Sequence, residues 1–144
     1  MENKVIILGA GIGAMTMGFE NAGCSVVAAY EKDRRAIELY KKNISDEINE
    51  LDQLGTSNLE DVPDIDILAC DFYRAFYRDL SIAGRKQKNA RDVNNVIKLI
   101  LDYRMPKIIC FFIPQVCLKL KQFVQLLDDI NSRGYNYKYK LIST

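Results

Sequence analysis

Three glycines, Gly9, Gly11 and Gly13, stand between an apolar run, Val5-Ile6-Ile7-Leu8, and a helical stretch, Met15 to Ala22. A second apolar run, Val26 to Tyr30, closes on an acid, Glu31. Glycines in a strand-to-helix turn permit a tight bend and let a ligand approach the backbone, and the helix start aims unpaired N–H groups at it. An acid at the end of the second strand can accept hydrogen bonds from two ribose hydroxyls. Strand, glycine turn, helix, strand and acid, in that order, read as a nucleotide or nucleoside site. Each glycine has a second reading, in which it merely allows the turn. Glu31 likewise reads as a solvated strand end.

Other groups able to do chemistry are few. The chain has no histidine, which excludes a histidine-bearing zinc site and a histidine general base. Its four cysteines, Cys24, Cys70, Cys110 and Cys117, form no Cys-x-x-Cys pair. They read as reduced, buried thiols of a cytoplasmic protein. Arg85, Lys86, Lys88 and Arg91 make a basic run that reads as a mobile, solvated loop. Four cations neutralise only a few phosphates, so the DNA contact expected of them is weak. Tyr73, Phe76 and Tyr77 read as packing residues before base-stacking ones.

The elements that must position these groups follow from periodicity. Lys32 to Asn43 has helical spacing, and a short strand is expected near Ile48 to Leu51. Asp64 to Cys70 reads as a buried strand ending at Asp71, and Phe72 to Leu80 as helix or ordered loop. Val93 to Tyr103 reads as an amphipathic helix, and Lys107 to Ile113, after Pro106, as a buried strand. Val116 to Ile130 reads as one helix capped by Gly134. Tyr135 to Ile142 alternates tyrosine with asparagine and lysine, the pattern of an exposed or edge strand. Strands alternating with helices imply a doubly wound α/β sheet in a single domain, residues 1–144. A net charge of +1 argues for no strongly charged partner, and no apolar run reaches the ~20 residues that span a bilayer. The chain enters a strand at once, so no signal peptide is expected.

Two families resemble the opening stretch. Gly9-x-Gly11-x-x-Ala14 with Tyr30-Glu31-Lys32 is similar to the FAD or NAD dinucleotide fingerprint, which would imply an oxidoreductase-like domain. Ala10-Gly11-Ile12-Gly13 resembles the first motif of the cytosine-5 DNA methyltransferases, whose ligand is S-adenosylmethionine. Four later stretches resemble the second family, in its order. They are Glu31-Lys32-Asp33 with Tyr40-x-x-Asn43, then Asp64 to Phe72, then Ser81 to Lys88, then Leu126 to Asp129 with Gly134-Tyr135 and Lys138 to Ile142. The chain therefore resembles the N-terminal, cofactor-binding part of that family over nearly all its length. The resemblance implies a truncated, Rossmann-like doubly wound sheet of the S-adenosylmethionine-dependent methyltransferase kind, without the target-recognition domain. It implies cofactor contacts from Gly11, Gly13 and Glu31. It matches Asp52 to the acid at the adenine amino group, and it places Asp71 beside the methyl donor.

The family's chemistry is not present in the same way. Its enzymes attack a flipped cytosine with a thiolate from a Pro-Cys-Gln loop and activate the base with a glutamate from Glu-Asn-Val. Counting from Phe72 puts Arg74 at the cysteine position, and counting back from Ser81 puts Tyr77 there. Beyond Pro106 the glutamate position falls on Phe112-Ile113 or Pro114-Gln115-Val116, and no acid occurs from Met105 to Leu127. The family's aromatic before the turn is Gly9, and its last glycine is Ala14. The expectation is a catalytically incomplete relative with no catalytic residue of its own. It binds S-adenosylmethionine or S-adenosylhomocysteine weakly and acts as a subunit or regulator, as a homodimer or beside a second methyltransferase-like chain. An active methyltransferase of different mechanism and a decayed, non-functional fragment are the remaining alternatives.

Overall fold

A computed structural model of the chain describes residues 1–51, 54, 62–72 and 88–142, and the side chains of residues 88–94 lie outside the description. Among the described residues five strands form one parallel sheet: β1 (Lys4–Leu8), β2 (Ser25–Glu31), β3 (Asn49–Glu50), β4 (Ile67–Asp71) and β5 (Ile108–Phe112). Their spatial order is β3-β2-β1-β4-β5. The helices are α1 (Ala14–Asn21), α2 (Arg34–Asn43), α3 (Lys88–Arg104) and α4 (Lys121–Ser132). This is the doubly wound α/β architecture expected. The chain builds outward from β1 to β3, then returns to the other side of β1 for β4 and β5. The winding reverses between the carboxyl ends of β1 and β4, the place where ligands bind in such sheets.

Both faces of the sheet are covered, which is why its inner strands read as unbroken apolar runs. Val5, Ile7, Ala29, Ile67 and Ala69 turn to one side, where Tyr40 of α2 joins them and Met15 and Phe19 of α1 pack alongside. Ile6, Leu8, Leu68 and Cys70 turn to the other, under Ile97, Ile100 and Leu101 of α3 and Phe123, Leu126 and Ile130 of α4. Phe123 meets Phe72 and Phe111 edge to face, with ring centroids 5.1 and 5.9 Å apart. Asp66 ties together the amino-terminal ends of β1, β4 and β5. It accepts from the Lys4 N–H at 2.9 Å and the Lys107 ammonium at 2.7 Å.

Several sequence expectations need correction. Lys88 and Arg91 belong to α3, not to a loop, because a run of Lys, Asn, Ala and Arg continues the helix without a breaker. Residues 73–87, with Arg85, Lys86 and the aromatics Tyr73, Phe76 and Tyr77, lie outside the described residues. The strand expected from Lys107 to Ile113 is shorter and is not buried. It is the last of the sheet, so its side chains are only half-covered.

The single helix expected from Val116 to Ile130 is two elements. A 3-10 helix, Gln115–Lys119, ends at an extended Leu120, and α4 begins after it. The break carries the fully buried Cys117 into the core, with Leu120 N–H bonded to the Cys117 carbonyl. Val116 and Leu118 thus lie in one element, and Phe123, Leu126 and Ile130 in another of different register. Tyr135 to Ile142 forms no strand: Tyr135 is half-buried against the core, the residues after it are exposed, and no backbone hydrogen bond joins the stretch to any described residue. Gly134, at φ 92°, does follow the end of α4 as the left-handed residue expected there.

Candidate nucleoside site at the glycine turn

The turn after β1 holds Gly9, Gly11 and Gly13 at φ 75°, 59° and 107°, a backbone that side chains disfavour. The Tyr30 carbonyl at the end of β2 accepts both the Gly9 and the Ala10 N–H, at 2.8 and 3.0 Å. The turn is therefore bound to the strand that carries the acid. Helix α1 starts directly from Gly13, with no side-chain cap and no acid in its first turn.

Gly13 has a second function that its spacing could not show. A Cβ built on it would lie 2.3 Å from Ile44 Cγ1 and 2.7 Å from Ile44 Cδ1. The space beside Gly13 is filled from the far end of α2. One turn into α1, the Thr16 and Tyr40 hydroxyls share a buried hydrogen bond of 3.1 Å. Burial raises the Tyr40 phenol above its ordinary value, so this hydroxyl stays protonated.

Glu31 ends β2 and is only 1% exposed. Its Oε2 accepts the Gly11 N–H at 2.7 Å, while Oε1 accepts the N–H groups of Lys32 and Asp33 at 2.9 and 3.0 Å. Asp33 in turn caps α2, its Oδ1 accepting from Arg35 and Ala36 at 2.9 and 3.3 Å. One carboxylate thus binds the glycine turn to the start of α2. An acid of this kind offers about four lone-pair positions, so three N–H bonds leave capacity for a further donor.

Of the remaining sequence candidates, Asp71 ends β4 beside the place where the winding reverses and is half-buried. Its charge, after burial itself, helps push the neighbouring Cys70 thiol well above its ordinary value. Asp52 follows β3 and lies outside the described residues. The topology accordingly brings Gly11, Gly13, Glu31 and Asp71 to one end of the sheet. The capping role of Asp33 and the contact of Ile44 with Gly13 are not read from the sequence, whereas Tyr40 reads there as part of the apolar stripe of α2 and is indeed in the core. Asp33 alone left a signal, a short polar acceptor directly before a helical apolar pattern.

Cys70, Cys110 and Cys117 are not placed as nucleophiles. Cys70 and Cys117 are fully buried, and burial pushes Cys117 up to about 11 and raises Cys110. Reactive thiols are exposed and have lowered values. At the carboxyl end of β5, Pro114 leads into the 3-10 helix and Gln115 is exposed. Among the described residues no cluster of three or more histidines, cysteines or acids could hold a metal, and no helix is long and apolar enough to cross a membrane.

Comparison with known proteins gives this geometry a family. The C-5 cytosine-specific DNA methylase family matches residues 3–144. Type II methyltransferase M.HaeII of Haemophilus aegyptius is 30% identical over 99% of this chain and 45% of its own length. Type II methyltransferase M.HindV of Haemophilus influenzae is 30% identical over 97% of this chain and, again, 45% of its own length. The chain thus spans about half the length of the curated relatives it matches. Among solved structures, the Dnmt2 methyltransferase of S. pombe superposes with a TM-score of 0.65 at 18% identity, covering 94% of this chain and 42% of that one. A SAM-dependent methyltransferase from Geobacter sulfurreducens, solved with S-adenosyl-L-homocysteine, gives 0.54 at 15% identity over 96% and 59%. These two likenesses establish the Rossmann-like methyltransferase fold. The match of residues 3–144 sets aside the dinucleotide-binding alternative, and the chain belongs to the C-5 cytosine-specific DNA methylase family.

Proposed function

We propose that this chain is a catalytically incomplete cytosine-5 methyltransferase-like protein. It binds S-adenosylmethionine or S-adenosylhomocysteine at the glycine turn and serves as a subunit or regulator of methylation. The observation that carries the binding half is the Glu31 carboxylate, fastened to the Gly11 N–H at the carboxyl ends of β1 and β2. The fit to an adenosyl ligand is good in kind and limited in degree. Gly11 puts no side chain in the way, and Glu31 keeps lone-pair capacity for a ribose hydroxyl. Burial of Glu31 makes the affinity weak, because the ligand must reach a carboxylate already holding three donors. Asp71 adds a negative charge at the end of β4, on the other side of β1.

When bound, such a cofactor supplies an electrophilic methyl group. This chain's residues supply nothing to deliver it to cytosine. The family's covalent route needs a thiolate and an acid beside the base. Here the thiols of Cys70 and Cys117 are buried and held protonated. Arg74 or Tyr77 stands at the sequence position of the nucleophile, and Met105 to Leu127 contains no acid. Contact with DNA through the basic residues from Arg85 to Arg91 is weak and serves no chemistry of its own.

Calorimetric titration with S-adenosylhomocysteine tests the binding half. The expected result is weak binding, reduced by about 1–3 kcal/mol in Glu31→Ala through lost hydrogen bonds to the ribose. No heat at millimolar ligand, or an unchanged Glu31→Ala variant, would remove it. Methyl transfer from labelled cofactor to duplex DNA tests the other half. Turnover by the chain alone, at an enzyme's rate and lost on changing Arg74 or Tyr77, would overturn it.

A further inference from the structure

Leu8, the last residue of β1, pairs with Tyr30 of β2 on one side and with Cys70 of β4 on the other. The next residue of each flanking strand is an acid, Glu31 on β2 and Asp71 on β4. Two carboxylates therefore end their strands at one level, with the start of the glycine turn between them. Strands lie about 4.8 Å apart, which separates the two backbones by roughly 10 Å. Ala29 and Ala69, two residues earlier on each strand, pack on the face covered by α1 and α2, and alternation along a strand turns Glu31 and Asp71 to that face as well. Glu31 is enclosed and occupied by backbone N–H groups, while Asp71 is half-buried. The Asp71 charge acts on its surroundings: after burial, it is a cause of the raised Cys70 thiol.

The two adenosyl ligands differ where such a charge is felt. In S-adenosylmethionine the sulfur on C5′, one carbon outside the ribose ring, is a sulfonium with a permanent positive charge. In S-adenosylhomocysteine the methyl group is gone and the sulfur is a neutral thioether. Base, ribose and amino acid are common to both, so Glu31 meets the same groups in each. Resting on the adenosyl reading of the glycine turn, we propose that Asp71 is a specificity residue that makes the site prefer the charged methyl donor to its neutral product. A ligand held by a ribose hydroxyl at Glu31 and laid across the turn brings its C5′ side toward Asp71, into the range of ~4–6 Å over which opposite charges act strongly. The cationic side of the ligand gains more from that carboxylate than the neutral adenine does, which sets the direction in which it lies. Partial burial leaves the Asp71 field less screened than in open water. Glu50 of β3 stands level with Glu31 on its other side, but it is exposed, and solvent screens it. The chain then answers to the supply of methyl donor and is not occupied by spent product.

Calorimetric titration of the chain with S-adenosylmethionine, S-adenosylhomocysteine and sinefungin tests this. Sinefungin has a carbon bearing an ammonium group in place of the methylated sulfur, so it keeps the positive charge without the sulfonium. Both cations should bind about tenfold tighter than S-adenosylhomocysteine. Asp71→Asn keeps the size and removes the charge. It should weaken both cations by about tenfold and leave S-adenosylhomocysteine where it was. Glu50→Gln should keep the parent's preference. Thermal melting checks that Asp71→Asn is folded, and the parent's own preference tests the inference without any variant. Equal affinity of the parent for donor and product would overturn the selection and leave the adenosyl site standing. So would an Asp71→Asn change that weakens all three ligands alike, or a preference lost in Glu50→Gln and kept in Asp71→Asn. No heat with any of the three at millimolar concentration would remove the site itself, and the selection with it.

Discussion

The Gly11 N–H points at Glu31 Oε2 from 2.7 Å, so a turn glycine at φ 59° is held by the most buried acid among the described residues. The bond makes the turn and the acid one unit before any ligand arrives. Removing the carboxylate should therefore loosen the ligand-free protein as well as weaken binding.

Glu31→Ala leaves three backbone N–H groups without their acceptor. Each buried donor left unpaired costs about 1–3 kcal/mol, and water entering the vacated space offsets part of it. A net loss of about 2–4 kcal/mol is expected in urea denaturation without ligand. Glu31→Gln should lose less, because its amide oxygen still serves Lys32 and Asp33. A stability equal to the parent's would show that the three bonds do not hold the turn.

Gly13→Ala is expected to destabilise by about 1–3 kcal/mol, from overpacking against Ile44 and from the left-handed backbone at φ 107°. Combining it with Ile44→Ala separates the causes. The part due to contact should be recovered as a coupling energy in the double-mutant cycle, and the backbone part should remain. Purely additive effects would refute the packing role.

Tyr40→Phe strands the buried Thr16 hydroxyl and should cost about 1–2 kcal/mol. Thr16→Val together with Tyr40→Phe removes both partners and should lie closer to the parent than Tyr40→Phe alone. Thermal melts of the three variants check the order.

The Cys117 thiol, pushed up to about 11 by burial, keeps its proton in the folded chain where an unfolded thiol near 9 loses it. A raised folded value means a contribution to stability that is complete below pH 9 and lost as the pH climbs from 9 through 11. Cys117→Ala should flatten that alkaline decline in denaturation midpoints measured from pH 8 to 11. A decline of the same slope in the variant would assign it to another group.

Much of this fold lies open in the sequence because both faces of the sheet are buried. An inner strand such as Val5 to Leu8 must then be apolar throughout, and a glycine turn followed by an acid marks the site end. Less visible are features that depend on a distant neighbour. The same apolar run serves an inner strand and the sheet's last strand, so Ile108 to Phe112 reads as buried although one side of it is bare. A 3-10 helix and an α-helix both place residues three apart on one face, which hides the break at Leu120. Glu31 is readable as a strand-end acid, but which N–H groups it meets depends on how the turn folds back. Gly13 announces a turn, while Ile44 reaches it only once α2 is packed.

The central strand, β1, is also the first in sequence of the five described strands. β1 pairs with β2 soon after it in sequence, but its other edge is closed by β4, and Lys4 finds Asp66 only 62 residues further on. A nascent chain emerging from the ribosome therefore carries a strand that is apolar from Val5 to Leu8, with one side unprotected until β4 has cleared the exit tunnel. Long-range parallel pairing of this kind is slow and exposed to aggregation. Changes that keep the finished fold intact but delay β4 would show first as loss of soluble yield and dependence on chaperones, before any effect on the assembled protein.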